Sequence, residues 1–195
     1  MSIQRFNRDA LRAMPWKNGG GTTCEIASWP PGAGIDDFMW RASIATIVKA
    51  APFSVFPGVD RTIMLLDGGS VQLHADDGSF DHRLDAHAPF SFSGDVALGC
   101  TMHGGPSTDF NAMSRRAQCR ADVQVLDAAQ TAQAAHVLDL APHGLLMGLH
   151  GSWQAGDQQL AAGEGLWWAD TPMAWPLSPA SDGARLLAVR WFPHD

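Results

Sequence analysis

The spacing of turn signals constrains this chain most. Runs suited to strands recur every few residues, and Gly, Pro and Asp punctuate them. Trp40 to Val48 alternates, with Trp40, Ala42, Ile44 and Val48 on one face and Arg41 and Ser43 on the other. Thr62 to Leu66 is apolar on both faces and so reads as a strand buried on both sides. Ser70 to His74 alternates again with Val71 and Leu73 inward, and Asp77-Gly78 is a hairpin signal. Phe90 and Phe92 face opposite to Ser91 and Ser93, and Gly94-Asp95 turns the chain into a strand over Val96 to Cys100. His103 to Thr108 reads as a Gly/Pro loop. Further strands are expected over Asp109 to Met113, Arg120 to Leu126, Leu145 to His150, Leu166 to Trp168 and Ala184 to Trp191. Only Asp127 to His136 has helix-forming composition, and it suits a polar connector equally well. Many short strands between turns predict an all-β sandwich or barrel with little helix.

A weak repeat runs through this pattern. Leu66-Asp67-Gly68 leads to a hairpin, then Leu84, then Phe92-Ser93-Gly94-Asp95; Leu149-His150-Gly151 leads to a shorter hairpin, then Leu160 and Gly163, then Trp168-Ala169-Asp170. A repeated β-unit of this size predicts two related antiparallel lobes. The 195 residues allow one large domain or two small ones. A formal net charge of −7 with no Lys/Arg block argues against a nucleic-acid partner. The longest apolar runs are too short to span a bilayer, and Met1 to Phe6 lacks the apolar stretch of a secretory signal, so no membrane partner is expected. Cys24, Cys100 and Cys119 are odd in number and far apart, as suits reduced thiols, and the cytoplasm is the expected compartment.

Met14 to Ile26 carries the densest local chemistry. Gly19, Gly20 and Gly21 lack Cβ atoms, so the backbone there can take φ > 0 and approach another group closely. Trp16, Lys17 and Asn18 precede them; Thr22, Thr23, Glu25 and Ile26 follow as the start of a strand. A stacking ring, a cation and hydroxyls around a bare backbone suit a loop that touches an anionic or planar small molecule. A glycine-rich entry into a strand, with Trp16 covering a barrel end, explains the same residues. Lys17 precedes the glycines and no helix follows, which excludes a P-loop and a dinucleotide fingerprint.

Arg61 is the strongest anion candidate, because it opens an otherwise apolar strand and its planar fork can hold a carboxylate through two bonds. A salt bridge to Asp60 or Asp95 is the competing reading. Asp109, Asn111 and Met113 share one strand face, and Phe110 and Ala112 the other. A carboxyl, an amide and a thioether in line suit the polar wall of a pocket or a partly exposed edge strand. Arg115 and Arg116 follow, and one of them is expected to pair with a nearby acid. There is no Gly-x-Ser-x-Gly elbow, and the three cysteines sit in strand contexts where thiols are inert. Trp167, Trp168, Trp175 and Trp191 read as core and lobe-interface packing.

Leu66-x-Gly68 followed by a hairpin and an aromatic strand ending in Gly-Asp is similar to the cupin jelly-roll pattern. More specifically, four ordered segments resemble the HutD/Ves family: Pro15 to Thr22 with Glu25-Ile26, Phe56 to Arg61, Pro89 to Asp95, and Asp109 to Met113. The resemblance implies an RmlC-like bicupin forming a single unit over residues 1–195. Its first lobe would span 20–126 and its second 137–195, with 1–19 packing on the lobes. It also implies a cytosolic accessory or regulatory protein of bacterial histidine utilisation that binds an anionic intermediate such as urocanate or formylglutamate. Metal-binding cupins present His-x-His with a downstream Glu and a further His. Phe56 to Arg61 stands at the equivalent place without a histidine. His74 reads as outward, His82 lies in or beside a hairpin arm, His87 is in a turn and His103 remains; His136, His143, His150 and His194 read as surface or turn residues. Neither a metal nor another cofactor is expected. The expected site joins Trp16, Lys17, Asn18, Gly19, Gly20, Thr22, Arg61, Asp109, Asn111 and Met113 around a small anionic metabolite. Rival readings are a metal-free isomerase-like enzyme with Asp109 or a histidine as general base, and a protein-interaction module. A homodimer is compatible with each.

Overall fold

A computed structural model describes residues 3–131 and 136–194. Strands dominate it: β1 (Gln4–Asn7), β2 (Ala13–Pro15), β3 (Gly21–Trp29), β4 (Trp40–Ile47), β5 (Val59–Ala75), β6 (Asp81–Arg83), β7 (Phe90–Ser93), β8 (Leu98–Arg115) and β9 (Cys119–Asp127). After a helical turn at Ala128–Thr131 come β10 (His136–Ala141), β11 (His143–His150), β12 (Ser152–Ala155), β13 (Gln158–Ala161), β14 (Glu164–Trp168), β15 (Met173–Pro179) and β16 (Arg185–Pro193). That turn and a 3₁₀ turn at Arg8–Ala10 are the helix among the described residues. The 128–131 turn falls within the stretch whose composition suited helix or connector; 132–135 and the side chains of Gln130, Thr131 and His136 lie outside the description. No helix among the described residues is long and apolar enough to cross a membrane.

The chain divides into two compact units, one of residues 12–120 with His194, the other of residues 3–11 with 121–193. In the first, a seven-stranded sheet runs β2-β3-β4-β8-β5-β6, with β7 also paired to β5. The strands β5 and β8 are 17 and 18 residues long. The turn-like residues Gly68 and His103 to Thr108 were expected to interrupt them, and they do not. Instead the two stretches face each other. The pairing slips between Leu65/Asp67 and between Gly68/Ser70, and Gly104, Gly105 and Pro106 fall between the paired positions His103 and Ser107. Gly68 adopts φ +93°, and a Cβ there would lie 2.2 Å from the Pro106 carbonyl oxygen. The backbones approach where only glycine permits it, and the strands bend at β-bulges. Proline sits there because no ladder hydrogen bond is required of it.

The two-sided apolar run behaves as its composition predicts: Ile63, Met64, Leu65 and Leu66 are all buried. Ile63 and Leu65 pack with Ile47, Val71, Leu73, Leu84, Phe92 and Leu98. Each such fully buried side chain contributes about 1.5–3 kcal/mol. One expectation is corrected at the end of β4. Val48 is 52% exposed, and the strand stops at Ile47, which is buried on the face of Arg41 and Ser43.

The second unit holds a five-stranded sheet, β1-β14-β11-β16-β9, and a four-stranded sheet, β10-β15-β12-β13. Trp153, Trp168 and Trp175 fill its core, and the Trp168 indole donates to the Ala141 carbonyl at 3.0 Å. Trp191 is also fully buried, whereas Trp167 is partly exposed. His143 does not lie on the surface as expected, because β11 carries it inward to 1% exposure. Its Nδ1 receives the Asp170 backbone N–H, and burial lowers its pKa against the opposing pull of the Asp170 carboxylate.

Candidate functional site

Side chains two residues apart on a strand share a face, and adjacent strands put such faces side by side. Across β4, β8 and β5 this produces successive rows: Arg41, Met113 and Arg61; then Ser43, Asn111 and Ile63; then Ala45, Asp109 and Leu65. β3 adds Glu25 beside Ser43 and Thr23 beside Ala45. Most of these residues line a cavity of about 440 Å³. Trp16, Lys17 and Asn18 close one side, and Pro52, Phe53, Ser54 and Phe56, from the segment between β4 and β5, close another.

Arg61 is 5% exposed at one end of this cavity. Its Nη2 donates to Asn111 Oδ1 at 2.8 Å. Its Nε is buried without a hydrogen-bond partner. The rings of Phe92, Phe56 and Phe53 surround the guanidinium at 5.1, 5.4 and 5.6 Å. Desolvation, and then the nearby Arg41 charge, lower its pKa to about 10, so the group remains charged at neutral pH. The acids that sequence offered as partners are engaged elsewhere. Arg116 takes Asp60 at 2.8 Å through Nε and Asp95 at 3.0 Å through Nη2. The Gly58 backbone N–H, Ser93 and Arg116 together hold the Asp95 carboxyl at about 2. Among the described residues no carboxylate stands within ion-pair distance of Arg61. A buried cation with aromatic walls and one amide is incompletely compensated.

Arg41 is the second buried cation, 7% exposed on the far side of Met113. Its Nε donates to Glu25 Oε2 at 2.7 Å and its Nη1 to Ser43 Oγ at 3.3 Å. Asp109 stands two rows from the arginines and is fully buried. Its Oδ2 accepts from Ser107 Oγ at 3.1 Å, and its Oδ1 has no partner. Burial raises its pKa to about 7; the Ser107 bond opposes the rise and the Asp67 charge adds to it. The pocket thus has two cations at one end and a carboxyl titrating near neutrality at the other.

The glycine-rich loop is held mainly by its own bonds. Trp16 N–H donates to the Gly21 carbonyl, and Gly19 N–H to the Trp16 carbonyl. Asn18 Oδ1 accepts from Gly20 N–H at 2.9 Å. A Cβ on Gly21 would lie 2.1 Å from the Thr46 carbonyl oxygen, so bare backbone lets β3 pair closely under the Trp16 ring. The Trp16 indole donates to Thr23 Oγ1 at 2.7 Å. Of the residues expected at a site, Trp16, Lys17, Asn18, Arg61, Asp109, Asn111 and Met113 meet at the cavity; Gly19, Gly20 and Thr22 do not line it. Strand alternation turns Thr23 inward where Thr22 was expected. Sequence reading missed Arg41, Thr23, Phe53 and Phe56. The polar Arg41/Ser43 face was visible in the alternation of β4, but nothing local marked it as a pocket wall.

Among the described residues no three His, Cys, Asp or Glu side chains converge as metal ligands. His74 bonds Thr101 at 2.8 Å, and His82 stacks on Phe90 with centroids 3.7 Å apart.

The HutD family model matches residues 8–187. Protein Ves of Citrobacter koseri is 38% identical over 187 residues, covering 94% of this chain and 93% of that protein. The structure of HutD from Pseudomonas fluorescens SBW25 superposes with a TM-score of 0.85 at 26% identity, covering 100% of both chains. A cupin 2 conserved barrel domain protein from Leptotrichia buccalis, with 97% of each chain covered, gives a TM-score of 0.58 at 9% identity, a likeness of fold alone.

Proposed function

The chain belongs to the HutD family, with an all-β, cupin-like fold, and from that premise we propose that it is a metal-free binding protein for a small carboxylate. The observation that carries this reading is Arg61: a buried, charged guanidinium without a carboxylate partner, its Nε unmatched, in a cavity sized for a small molecule. An uncompensated buried charge costs several kcal/mol. A ligand carboxylate would offset that cost through two parallel N–H···O bonds. Lys17 at the rim adds attraction that a net charge of −7 does not otherwise provide. The role that follows from the family resemblance is an accessory or regulatory one in histidine utilisation, in the cytoplasm, with an intermediate such as urocanate or formylglutamate as ligand. The two units are then two related cupin lobes, the first of which holds the site.

A thermal-shift series tests the reading. A ligand bound only to the folded state raises stability by RT ln(1 + [L]/Kd). Formate, acetate, urocanate and formylglutamate are compared with neutral amide analogues, on wild type and Arg61→Ala. Stabilisation by at least one acid, lost in the variant, is expected; no acid stabilising the wild type would overturn the reading.

A second reading rests on Asp109. A carboxyl titrating at about 7 inside the pocket suits a general base, as in a metal-free isomerase. Turnover of a bound acid that Asp109→Asn abolishes without weakening binding would favour it.

A further inference from the structure

A carboxylate on Arg61 uses only one end of the cavity. Arg61 Nη2 reaches Asn111 Oδ1, so the guanidinium lies over the middle row of the floor. Asp109 is the next inward residue along β8, two positions on and roughly 7 Å away. It is fully buried, and its Oδ1 reaches neither a protein donor nor bulk water. A buried acceptor left unmatched is costly, and a carboxylate the more so. The Ser107 hydroxyl donates to Oδ2, which sets Asp109 as an acceptor, and Asp67 adds negative potential there. Between the two ends the walls are largely apolar, with Ile63 and Ala45 on the floor and Trp16 and Phe53 closing over them.

Resting on the carboxylate reading above, we propose that the pocket takes a short bifunctional acid, its carboxylate on Arg61 and an N–H donor, about 5–7 Å away, on Asp109 Oδ1. The aliphatic or planar link between them would lie along the apolar walls. A simple monocarboxylate fills the cationic end and leaves Asp109 unmatched. A ligand with only an acceptor at its far end meets Asp109 oxygen against oxygen whenever that carboxyl is ionised.

Two near-isosteric acids separate the cases. Glutaramate ends in a primary amide; 5-oxohexanoate has a methyl group in place of the amide nitrogen and keeps the carbonyl. Titration calorimetry at pH 8 measures both on wild type, Asp109→Asn and Arg61→Ala. Wild type is expected to bind glutaramate at least about tenfold more tightly, as a hydrogen bond to a charged group requires. Asp109→Asn should erase that preference, because its amide can satisfy either ligand. Arg61→Ala should weaken both acids. Equal affinity of wild type for the two acids, or a preference that survives Asp109→Asn, would overturn the inference while leaving the carboxylate reading in place. Failure of both acids to bind wild type, or binding indifferent to Arg61→Ala, would overturn the carboxylate reading and this inference with it. Equal affinity of the unmodified protein for the two acids refutes the inference without any variant, and urea unfolding of Asp109→Asn and Arg61→Ala confirms that each is folded before its affinities are compared.

Discussion

Asp109→Asn should stabilise the protein, and only above acidic pH. Asp109 is fully buried, and burial lifts its pKa from 3.8 to about 7. In the unfolded chain the group ionises near its ordinary value, so between about pH 4 and 7 the folded state holds a proton that the unfolded state has lost. Stability therefore falls as pH rises through that window. Below it both states are protonated and the penalty is absent; above it both are ionised and the penalty is complete. A carboxyl raised from 3.8 to about 7 corresponds to at most about 4 kcal/mol of lost stability once both states are ionised. The asparagine is nearly isosteric and keeps an acceptor for Ser107, but it carries no charge to desolvate. Urea unfolding of both proteins at steps from pH 4 to pH 8.5 isolates the effect, since every other titrating group cancels in the difference. The variant's advantage should grow by several kcal/mol across the series and level off above pH 7 to 8. A difference that does not change with pH, or one that grows in favour of the wild type, would refute the burial of an ionisable Asp109.

Other outcomes follow from single residues. Arg61→Ala should weaken binding of any carboxylate ligand by roughly 1.5–3 kcal/mol, and Arg61→Lys should not restore it, because an ammonium lacks the planar fork; equal calorimetric affinities would count against the site. Lys17→Ala should weaken binding less and mainly at low salt, because Lys17 is exposed at the rim. Gly68→Ala should lower stability by about 2 kcal/mol or more, because φ is +93° and the new Cβ would press on the Pro106 carbonyl; an unchanged denaturation midpoint would contradict the bulge. Cys119 is buried, its thiol lies 3.2 Å from the Met39 carbonyl oxygen, and desolvation pushes its pKa up to about 12. Iodoacetamide at pH 8 should leave it unlabelled until the protein unfolds.

The fold was largely legible because its signals are local. Alternation along β4, the two-sided apolar run in β5 and the hairpin at Asp77-Gly78 need no knowledge of partners. The errors came where partners decide. Glycine and proline at 103–108 read as a loop on their own; facing Gly68 and Gly69 they form the bulged centre of a long strand. His143 looks like a turn residue beside Pro142 and Gly144, yet β11 carries it into a core. At the site, Arg61 and the Asp109/Asn111/Met113 face were visible because polar residues in apolar strands stand out. Arg41 was harder to see, because an arginine opposite an apolar face normally points to solvent. Only the register of β4 against β8 reveals that this face looks into a cavity. The glycine run drew attention as a ligand loop, and the structure uses Gly21 for close strand pairing.

The central claim is that Arg61 anchors a carboxylate in this cavity. A crystal structure grown with 3-bromopropionate, read by bromine anomalous scattering, tests it most directly. The expected result is one strong bromine site inside the cavity, with the carboxylate bonded to the Arg61 guanidinium and the bromine along the wall formed by Ile63 and Phe53. Bromine found only at the surface, with the guanidinium unligated at saturating acid, would contradict it.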